Sequence, residues 1–234
     1  MREAAPEKRR AVKGMFAAIS PRYDLLNRLL SAGQDRRWRR RSVAMFSPGI
    51  GRVLDVAAGT GDLSAAWLAD RSGALALATD FVPEMCALGA EKLGGHPRLL
   101  GYANADALAL PFATDAFDGV MAAFGVRNFA DLETGLAEMT RVLRPGGEML
   151  ILEFFPAKNP VLDRLFGLYF RRLLPLLGGW ISGNRGAYEY LPRSVGDFQD
   201  REAFRTLLEE LGLGIQNSIE HSGGVATAIL AKKP

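Results

Sequence analysis

Residues 55–62 read DVAAGTGD and connect a short apolar run, residues 52–56, to the start of a helical pattern. Glycine lets the backbone turn sharply and approach a ligand closely, because it carries no side chain. A glycine loop between a strand and a helix is typical of nucleotide sites in α/β proteins, although tight turns without a ligand also use glycine. The loop therefore indicates an α/β fold more firmly than it indicates a ligand.

Strand-like and helix-like segments alternate around this loop. The predicted strands are residues 52–56, 74–78, 98–103, 117–124 and 148–154, and the predicted helices are residues 62–69, 83–93, 132–143 and 201–211. Such alternation predicts parallel strands joined by crossover helices. Because the ligands of these sheets bind beyond the carboxyl ends of the strands, we expect the functional residues there.

The composition narrows the class of protein. The 234 residues suffice for one sizeable α/β domain. The 29 basic and 26 acidic residues leave a net charge of only +3, which does not favour nucleic-acid binding. A single cysteine, Cys86, excludes an internal disulfide and favours a cytoplasmic protein. No run approaches the roughly 18 apolar residues of a membrane span, and residues 1–10 lack the apolar region of a secretion signal.

Acidic residues at the ends of the first three predicted strands indicate which nucleotide binds. Asp80 ends the second strand, about 20 residues after the loop, where a carboxylate accepts hydrogen bonds from both ribose hydroxyls. Asp106 follows the third strand and would accept a hydrogen bond from an adenine amino group. Asp55 precedes the glycines, where an acid helps to hold an amino-acid moiety such as methionine. Together they favour S-adenosylmethionine (SAM).

A nicotinamide dinucleotide would use the same loop and the same Asp80. Ser64 replaces the third glycine of its fingerprint, and Asp62 stands in the first helical turn, where it would disfavour a diphosphate. SAM is therefore favoured, and a dinucleotide site and a purely structural loop remain as alternatives.

The same residues resemble the class I SAM-dependent methyltransferases over residues 50–155. The resemblance is carried by Asp55, Gly59-Thr60-Gly61, Asp80, Asp106-Ala107 and Arg144-Pro145-Gly146-Gly147. It implies a Rossmann-like, seven-stranded, mostly parallel sheet whose last strand is antiparallel, with helices on both faces. We predict one domain over 1–234, built from an N-terminal helical segment (1–47), a SAM-binding core (50–155), a helical insertion on the substrate side (156–198) and a C-terminal helix and hairpin (199–234).

Further segments are similar to the menaquinone/ubiquinone C-methyltransferases, over about residues 12–230. They are Tyr23-Asp24-Leu25-Leu26-Asn27, Leu110-Pro111-Phe112 with Phe117-Asp118, Phe124-Gly125-Val126-Arg127-Asn128, and Tyr188-Glu189-Tyr190-Leu191 with Ser194-Val195. The resemblance implies SAM-dependent C-methylation of a polyprenyl quinol ring, demethylmenaquinol first of all. Methylation of another small or lipid acceptor and a SAM-binding module without catalysis remain as alternatives.

The resemblance also implies which residues contact SAM. Thr60, Asp80, Asp106 and Ala107 match positions of the family that contact the cofactor. Ala123, at the end of the fourth strand, stands where some members have a serine, so a hydroxyl contact is absent at that position.

The chemistry of ring methylation requires a nucleophilic carbon, which forms when the neighbouring hydroxyl loses its proton. Arg127 is the candidate for stabilising the phenolate or for orienting a water that removes the proton, and Glu153 is a weaker candidate base. Asn128 either binds a ring oxygen or caps the following helix. Tyr23, Tyr188 and Tyr190 line the ring pocket or pack in the core. No cluster has the spacing of metal ligands, so we predict no metal.

Two segments suggest partners. The apolar residues between Leu162 and Trp180 suit an isoprenoid tail, core packing or a homodimer surface. A basic run predicts either a solvated helix face or peripheral contact with anionic lipid at the inner face of the membrane. The run comprises Arg36, Arg37, Arg39, Arg40 and Arg41. The expected partner is a lipid-soluble quinol, without nucleic acid.

Overall fold

The computed structural model describes residues 5–156 and 185–234, in which one seven-stranded sheet forms the centre. The strands are β1 (Arg52–Val56), β2 (Leu75–Asp80), β3 (Leu99–Asn104), β4 (Phe117–Ala123), β5 (Leu143–Phe154), β6 (Gly214–His221) and β7 (Ala226–Lys232). The helices are α1 (Ala5–Ile19), α2 (Tyr23–Leu30), α3 (Gln34–Val43), α4 (Asp62–Asp70), α5 (Pro83–Leu93), α6 (Leu132–Val142), α7 (Arg185–Gly196) and α8 (Arg201–Glu210). Short 3-10 turns cover Ser20–Arg22 and Val126–Asn128.

The sheet has the order β3-β2-β1-β4-β5-β7-β6. β1 to β5 pair in parallel, and β7 runs antiparallel to both β5 and β6. The Rossmann-like prediction with an antiparallel last strand is thereby confirmed. The order reverses between β1 and β4, and a crevice for ligands opens where strands of an α/β sheet diverge in this way. The DVAAGTGD loop leaves β1 at that point.

Helices cover both faces of the sheet. Successive residues of β1 belong to two different apolar clusters, with Val53 in one and Leu54 in the other. Both side chains are fully buried, as expected for a parallel strand that is packed on its two sides. The central strands are therefore rigid supports for the loops that follow them.

The helix ends correct one expectation about Asn128. The side chain of Asp131 accepts a hydrogen bond from the Thr134 backbone N–H at 3.0 Å and caps α6. Asn128 lies in the preceding 3-10 turn, so its interpretation as the cap of the following helix is wrong. β5 begins at Leu143 instead of residue 148, because residues 143–147 join the sheet through an irregular register with β4.

The structure describes some of the predicted segments of the chain fully and others only in part. The N-terminal segment forms α1 to α3, and residues 199–234 form α8 with the hairpin of β6 and β7. The apolar stretch from Leu162 to Trp180 lies outside the described residues. Across residues 5–156 and 185–234, no helix is both long enough and apolar enough to cross a membrane.

Candidate active site

The loop after β1 depends on glycine at two positions. Gly59 and Gly61 have φ angles of +56° and +83°, a region that favours glycine. A Cβ atom at Gly61 would also overlap the hydroxyl of Tyr102, which reaches the loop from β3. The loop backbone is thus fixed in a close turn at the carboxyl ends of the strands.

Asp80, at the end of β2, holds this loop in place. Its Oδ2 atom accepts a hydrogen bond from the Gly59 N–H at 2.8 Å, and its Oδ1 atom accepts one from the Val82 N–H at 2.9 Å. Burial raises the pKa of Asp80, and the backbone N–H groups around it oppose that shift. The carboxylate of Asp80 thus holds the glycine loop and also lines the main cavity.

The main cavity lies between the strand ends and α1. Its walls are mostly apolar, with a few polar groups, as is usual for a site that binds a small ligand. The apolar lining includes Val12, Phe16, Phe81, Met85, Leu108 and Phe129, and the polar lining includes Asp80, Asp106 and Asn128. Ala107 also lines it.

Asp106 is engaged by a residue that the sequence did not single out. Its Oδ1 atom accepts a hydrogen bond from the Leu108 N–H at 3.0 Å. Its Oδ2 atom lies 2.6 Å from Nη2 of Arg9, on α1. Lys8 on the same helix donates to the carbonyl of Phe129 at 2.5 Å. α1 therefore covers the cavity and is held on two sides by basic residues.

A second, smaller recess adjoins the main cavity, and Tyr23 and Ala57 line both. Asp55 lies at its base, where Oδ2 accepts hydrogen bonds from the Ser64 N–H at 3.0 Å and the Ser64 hydroxyl at 2.7 Å. Burial raises the pKa of Asp55 to about 7. Ala123 lines the same recess and contributes no polar group.

Thr60 is tied to the N-terminal helices. Its hydroxyl donates to the carboxylate of Asp24 on α2. Lys92 on α5 bridges Asp24 at 2.6 Å and Asp62 at 2.5 Å. This network joins the glycine loop, α2 and α5 at the rim of the second recess.

Arg127 and Glu153 form a buried ion pair at the ends of β4 and β5. Nη1 of Arg127 lies 2.6 Å from Oε1 of Glu153, and the two side chains are 6% and 0% exposed. The same Nη1 atom donates to the carbonyl of Phe124 at 2.6 Å, and Nε donates to the Ser194 hydroxyl at 3.4 Å. Burial raises the pKa of Glu153, and the charge of Arg127 opposes that shift.

Asn128 joins the main cavity to α7. Its Oδ1 atom accepts a hydrogen bond from the Tyr190 hydroxyl at 3.0 Å, and its Nδ2 group donates to the Phe124 carbonyl at 3.4 Å. Tyr23 stands between the two cavities, and burial raises its pKa. Tyr188 belongs to α7, but its side chain lies outside what the structure describes. Tyr23 and Asn128 therefore line the main cavity, and Tyr190 contacts Asn128.

The basic run of α3 does not form a single solvated face. Arg36, Arg37, Arg40 and Arg41 are exposed, whereas Arg39 is buried beside the second recess. The expectation that all five arginines face solvent or lipid is therefore wrong for Arg39. The helical spacing of Asp35, Trp38, Arg39 and Ser42 places them on the buried side of α3.

The site residues fit SAM. Asp55 has one buried carboxylate oxygen, Oδ1, without a hydrogen-bond partner among the described residues, which suits the ammonium group of an amino acid. Asp80 and Asp106 both line the main cavity, where they can accept hydrogen bonds from a bound nucleoside. No group of three or more His, Cys, Asp or Glu residues in the described part of the chain is arranged to hold a metal ion.

This fold and this arrangement of acids around a glycine loop define a class I methyltransferase, whose methyl donor is SAM. The class is confirmed by comparison with known families. The chain belongs to the ubiE/COQ5 methyltransferase family, whose model matches residues 2–233.

Several relatives match nearly the whole chain. A demethylmenaquinone methyltransferase of Thermus thermophilus is 45% identical over 221 residues, which cover 94% of this chain and 100% of the relative. A demethylmenaquinone methyltransferase of Deinococcus radiodurans is 47% identical over 210 residues, covering 88% and 86%. The ubiquinone/menaquinone biosynthesis C-methyltransferase UbiE of Geobacter sulfurreducens is 43% identical over 236 residues, covering 97% and 90%.

Solved structures support the fold. A SAM-dependent methyltransferase from Aquifex aeolicus superimposes with a TM-score of 0.63 at 16% identity, over 89% of this chain and 96% of that one. The [4+2]-cyclase SpnF superimposes with a TM-score of 0.69 at 17% identity, over 95% and 96%. At such low identity these likenesses concern the fold alone.

Proposed function

We propose that this methyltransferase moves the methyl group of SAM to a ring carbon of demethylmenaquinol and so produces a menaquinol. The observation that carries the proposal is the buried Arg127–Glu153 pair at the strand ends, together with the neighbouring Asn128, which lines the cavity for the cofactor. The names of the Thermus and Deinococcus relatives favour the naphthoquinol over the benzoquinol ring.

The acceptor is tested by supplying the purified protein with SAM and, separately, a demethylated naphthoquinol and a demethylated benzoquinol. Mass spectrometry of the products is expected to show methylation of the naphthoquinol at the higher kcat/KM. Preferential methylation of the benzoquinol would overturn the ring assignment, and methylation of neither would overturn the proposed function.

The cofactor is held by residues on three strand ends. We assign the ribose hydroxyls to Asp80, the adenine amino group to Asp106 and the methionine ammonium to Asp55. Ala107 packs beside the adenine, Ala123 forms an apolar wall near the methionine, and Gly59, Thr60 and Gly61 form the loop against which the nucleoside rests. SAM supplies a methyl group on a positively charged sulfur, and the protein's own residues prepare the acceptor.

The acceptor is activated when a water molecule takes its hydroxyl proton, which makes the neighbouring ring carbon nucleophilic. That carbon bonds to the methyl group as the sulfonium C–S bond breaks and S-adenosylhomocysteine leaves. The ring then loses its C–H proton to solvent and regains the quinol form. Arg127 stabilises the negative oxygen through its guanidinium, and Glu153 holds that guanidinium in position. A fixed positive charge in a buried site acts strongly on a developing anion, because little solvent screens it. Asn128 orients a ring oxygen, and Tyr23, Tyr188 and Tyr190 line the ring pocket.

Tyr190→Phe tests the role of the Tyr190–Asn128 bond. Loss of this hydrogen bond frees the Asn128 amide, so we expect KM for the quinol to rise roughly two- to tenfold, the worth of one neutral hydrogen bond. The Kd for SAM, measured by calorimetry, is expected to stay unchanged. A rise in the Kd for SAM with an unchanged KM for the quinol would contradict the assignment.

The raised pKa of Asp55 predicts how SAM binding depends on pH. Below pH 7 the buried carboxyl is mostly protonated and must lose its proton to pair with the methionine ammonium. SAM affinity should therefore fall as pH decreases below about 7, by up to about tenfold per pH unit. Arg39, Asp80 and the hydrogen bonds from Ser64 also influence the pKa of Asp55. They are the same for the two ligands that are compared next.

The control for this pH effect is methylthioadenosine, which lacks the amino-acid moiety but keeps the ribose that is assigned to Asp80. Calorimetric titrations between pH 5.5 and 8 should show the additional slope for SAM only, and Asp55→Asn should remove it. Equal slopes for both ligands in the wild type would refute the pairing with Asp55.

The lipid-soluble acceptor motivates a proposal about location, namely a cytoplasmic protein that contacts the inner face of the membrane. Leu25 and Leu29 on α2 are 49% and 45% exposed, and the exposed Arg36 and Arg37 begin the next helix. Exposed apolar and basic groups on these two consecutive helices suit an anionic lipid surface. A homodimer also remains a prediction, which light scattering of the purified protein tests.

Vesicle co-sedimentation tests the membrane contact. Binding should increase with the fraction of anionic lipid, decrease with salt, and weaken in the Leu25→Ser/Leu29→Ser variant, because exposed apolar groups and charge act together. Vesicle binding that depends neither on the fraction of anionic lipid nor on the salt concentration would rule out this contact.

A further inference from the structure

Arg39 is a buried arginine on α3 that reaches the second recess. Its Nη1 atom lies 2.6 Å from Oδ2 of Asp35, and the same atom is 4.0 Å from Oδ2 of Asp62. Its guanidinium lies over the ring of Phe124, 5.3 Å from the centroid. Arg39 lines the recess together with Asp55. A positive group and a negative group therefore share one small cavity.

Each of these two side chains has a buried polar atom that no described residue satisfies. Within residues 5–156 and 185–234, Nε of Arg39 has no hydrogen-bond partner, and neither has Oδ1 of Asp55. A buried donor or acceptor without a partner is costly, so such atoms in native proteins call for an explanation. Here the unsatisfied donor belongs to a cation and the unsatisfied acceptor to an anion.

An α-amino acid complements this arrangement, because it carries a carboxylate and an ammonium group on the same carbon. The guanidinium binds carboxylates through two parallel N–H groups. Asp35 occupies Nη1, whereas Nε has no partner among the described residues and would form, together with Nη2, the two-point edge for a carboxylate. The unpartnered Oδ1 atom of Asp55 would accept from the ammonium group.

We propose that Arg39 binds the carboxylate of the methionine moiety of SAM and makes the site selective for adenosine ligands that carry an intact amino acid. The inference rests on the proposed use of SAM and adds a recognition residue to that site. Asp35 is a positioning residue, because it fixes the guanidinium without touching the ligand.

A purely structural role for Arg39 is the competing explanation. The ion pair with Asp35 and the contact with Phe124 explain Nη1 and the face of the guanidinium, but they leave Nε without a function. The two explanations differ in one measurable respect, because a structural residue has no preference among ligands that differ only in a carboxylate.

Calorimetry with SAM and with decarboxylated SAM separates them. The wild type is expected to bind SAM at least about tenfold more tightly than the decarboxylated ligand, since a charge-assisted, two-point contact is lost. In Arg39→Gln the two Kd values should agree within about threefold. Arg39→Lys keeps the charge without the fork and should discriminate to an intermediate extent.

Two further variants control for folding and charge. Asp35→Asn/Arg39→Gln removes both partners of the buried pair, so it carries the test if Arg39→Gln alone does not fold. Arg144→Gln removes an arginine that pairs with Asp118 at the opposite end of the sheet, and it should discriminate as the wild type does.

Two results would overturn the proposal. The first is equal Kd values of the wild type for SAM and decarboxylated SAM. The second is an Arg39→Gln variant that loses affinity for both ligands equally, so that the ratio of the two Kd values stays that of the wild type. These binding constants require no quinol. Failure of methyl transfer to demethylmenaquinol would therefore refute the proposed acceptor and leave the role of Arg39 standing.

Discussion

Replacing Arg127 with alanine is expected to lower kcat for methyl transfer by roughly 10²–10³-fold, while the Kd for SAM stays within about threefold of the wild-type value. In the proposed reaction the arginine stabilises the ionised ring oxygen, which develops after the cofactor has bound. Arg127 follows β4 in the chain, and its side chain is buried in the ion pair with Glu153. Single-turnover rates and calorimetric Kd values measure the two effects separately.

The buried partner of Arg127 complicates a single substitution. Arg127→Ala leaves the fully buried Glu153 without its counter-charge, and an uncompensated buried charge destabilises a protein strongly. The double variant Arg127→Met/Glu153→Gln removes both charges and should recover thermal stability. We expect it to remain as slow as the single variant, because the stabilising cation is still missing.

The double variant therefore decides between catalysis and stability. Recovery of wild-type kcat in Arg127→Met/Glu153→Gln would show that Arg127 acts only by neutralising Glu153. A loss of SAM affinity that parallels the loss of rate would assign Arg127 to cofactor binding. Either result would remove it from the chemical step.

Asp80→Asn is expected to weaken SAM binding by about 100-fold, because charge-assisted hydrogen bonds to two ribose hydroxyls become neutral or are lost. The same carboxylate accepts from the N–H groups of Gly59 and Val82, so the glycine loop should also loosen. Calorimetry measures the affinity, and thermal unfolding without ligand measures the loss of stability.

Asp106→Asn is the matched control, since it makes the same chemical change on the same cavity. Asp106 is 19% exposed, and an asparagine still offers a carbonyl oxygen to the adenine amino group. We expect less than about a tenfold loss of SAM affinity. Equal losses for the two variants would contradict the assignment of the ribose to Asp80.

The sheet and its ligand edge could be predicted because each depends on local sequence. The alternating strands and helices predict parallel strands with crossover helices, whereas the seven strands and the antiparallel last strand follow from the family resemblance. The structure places Asp55, Asp80 and Asp106 around one pair of adjoining cavities. Arg127 and Glu153 follow or end neighbouring parallel strands, so the sequence also predicts that they lie close together. The sequence pattern does not predict that they form an ion pair.

Other contacts depend on distant parts of the chain. Arg9 meets Asp106 across 97 positions because α1 folds over the cavity, and no local pattern in the sequence indicates this. The sequence pattern predicts exposure for Arg39 as for its neighbours, since a run of like charges is typical of a solvated face. Its burial follows from the helical spacing shared with Asp35 and Trp38, combined with partners on β1 and α4 that only the fold brings near.

Methyl transfer itself is tested most directly with SAM whose methyl group carries deuterium. The purified protein, this cofactor and demethylmenaquinol are incubated under reducing conditions, and the quinol is analysed by tandem mass spectrometry. The proposed reaction predicts a product with one CD₃ group in place of one ring hydrogen, formed by the wild type and strongly reduced in Arg127→Ala. Label on a ring oxygen, or no label in the quinol while SAM is bound, would contradict it.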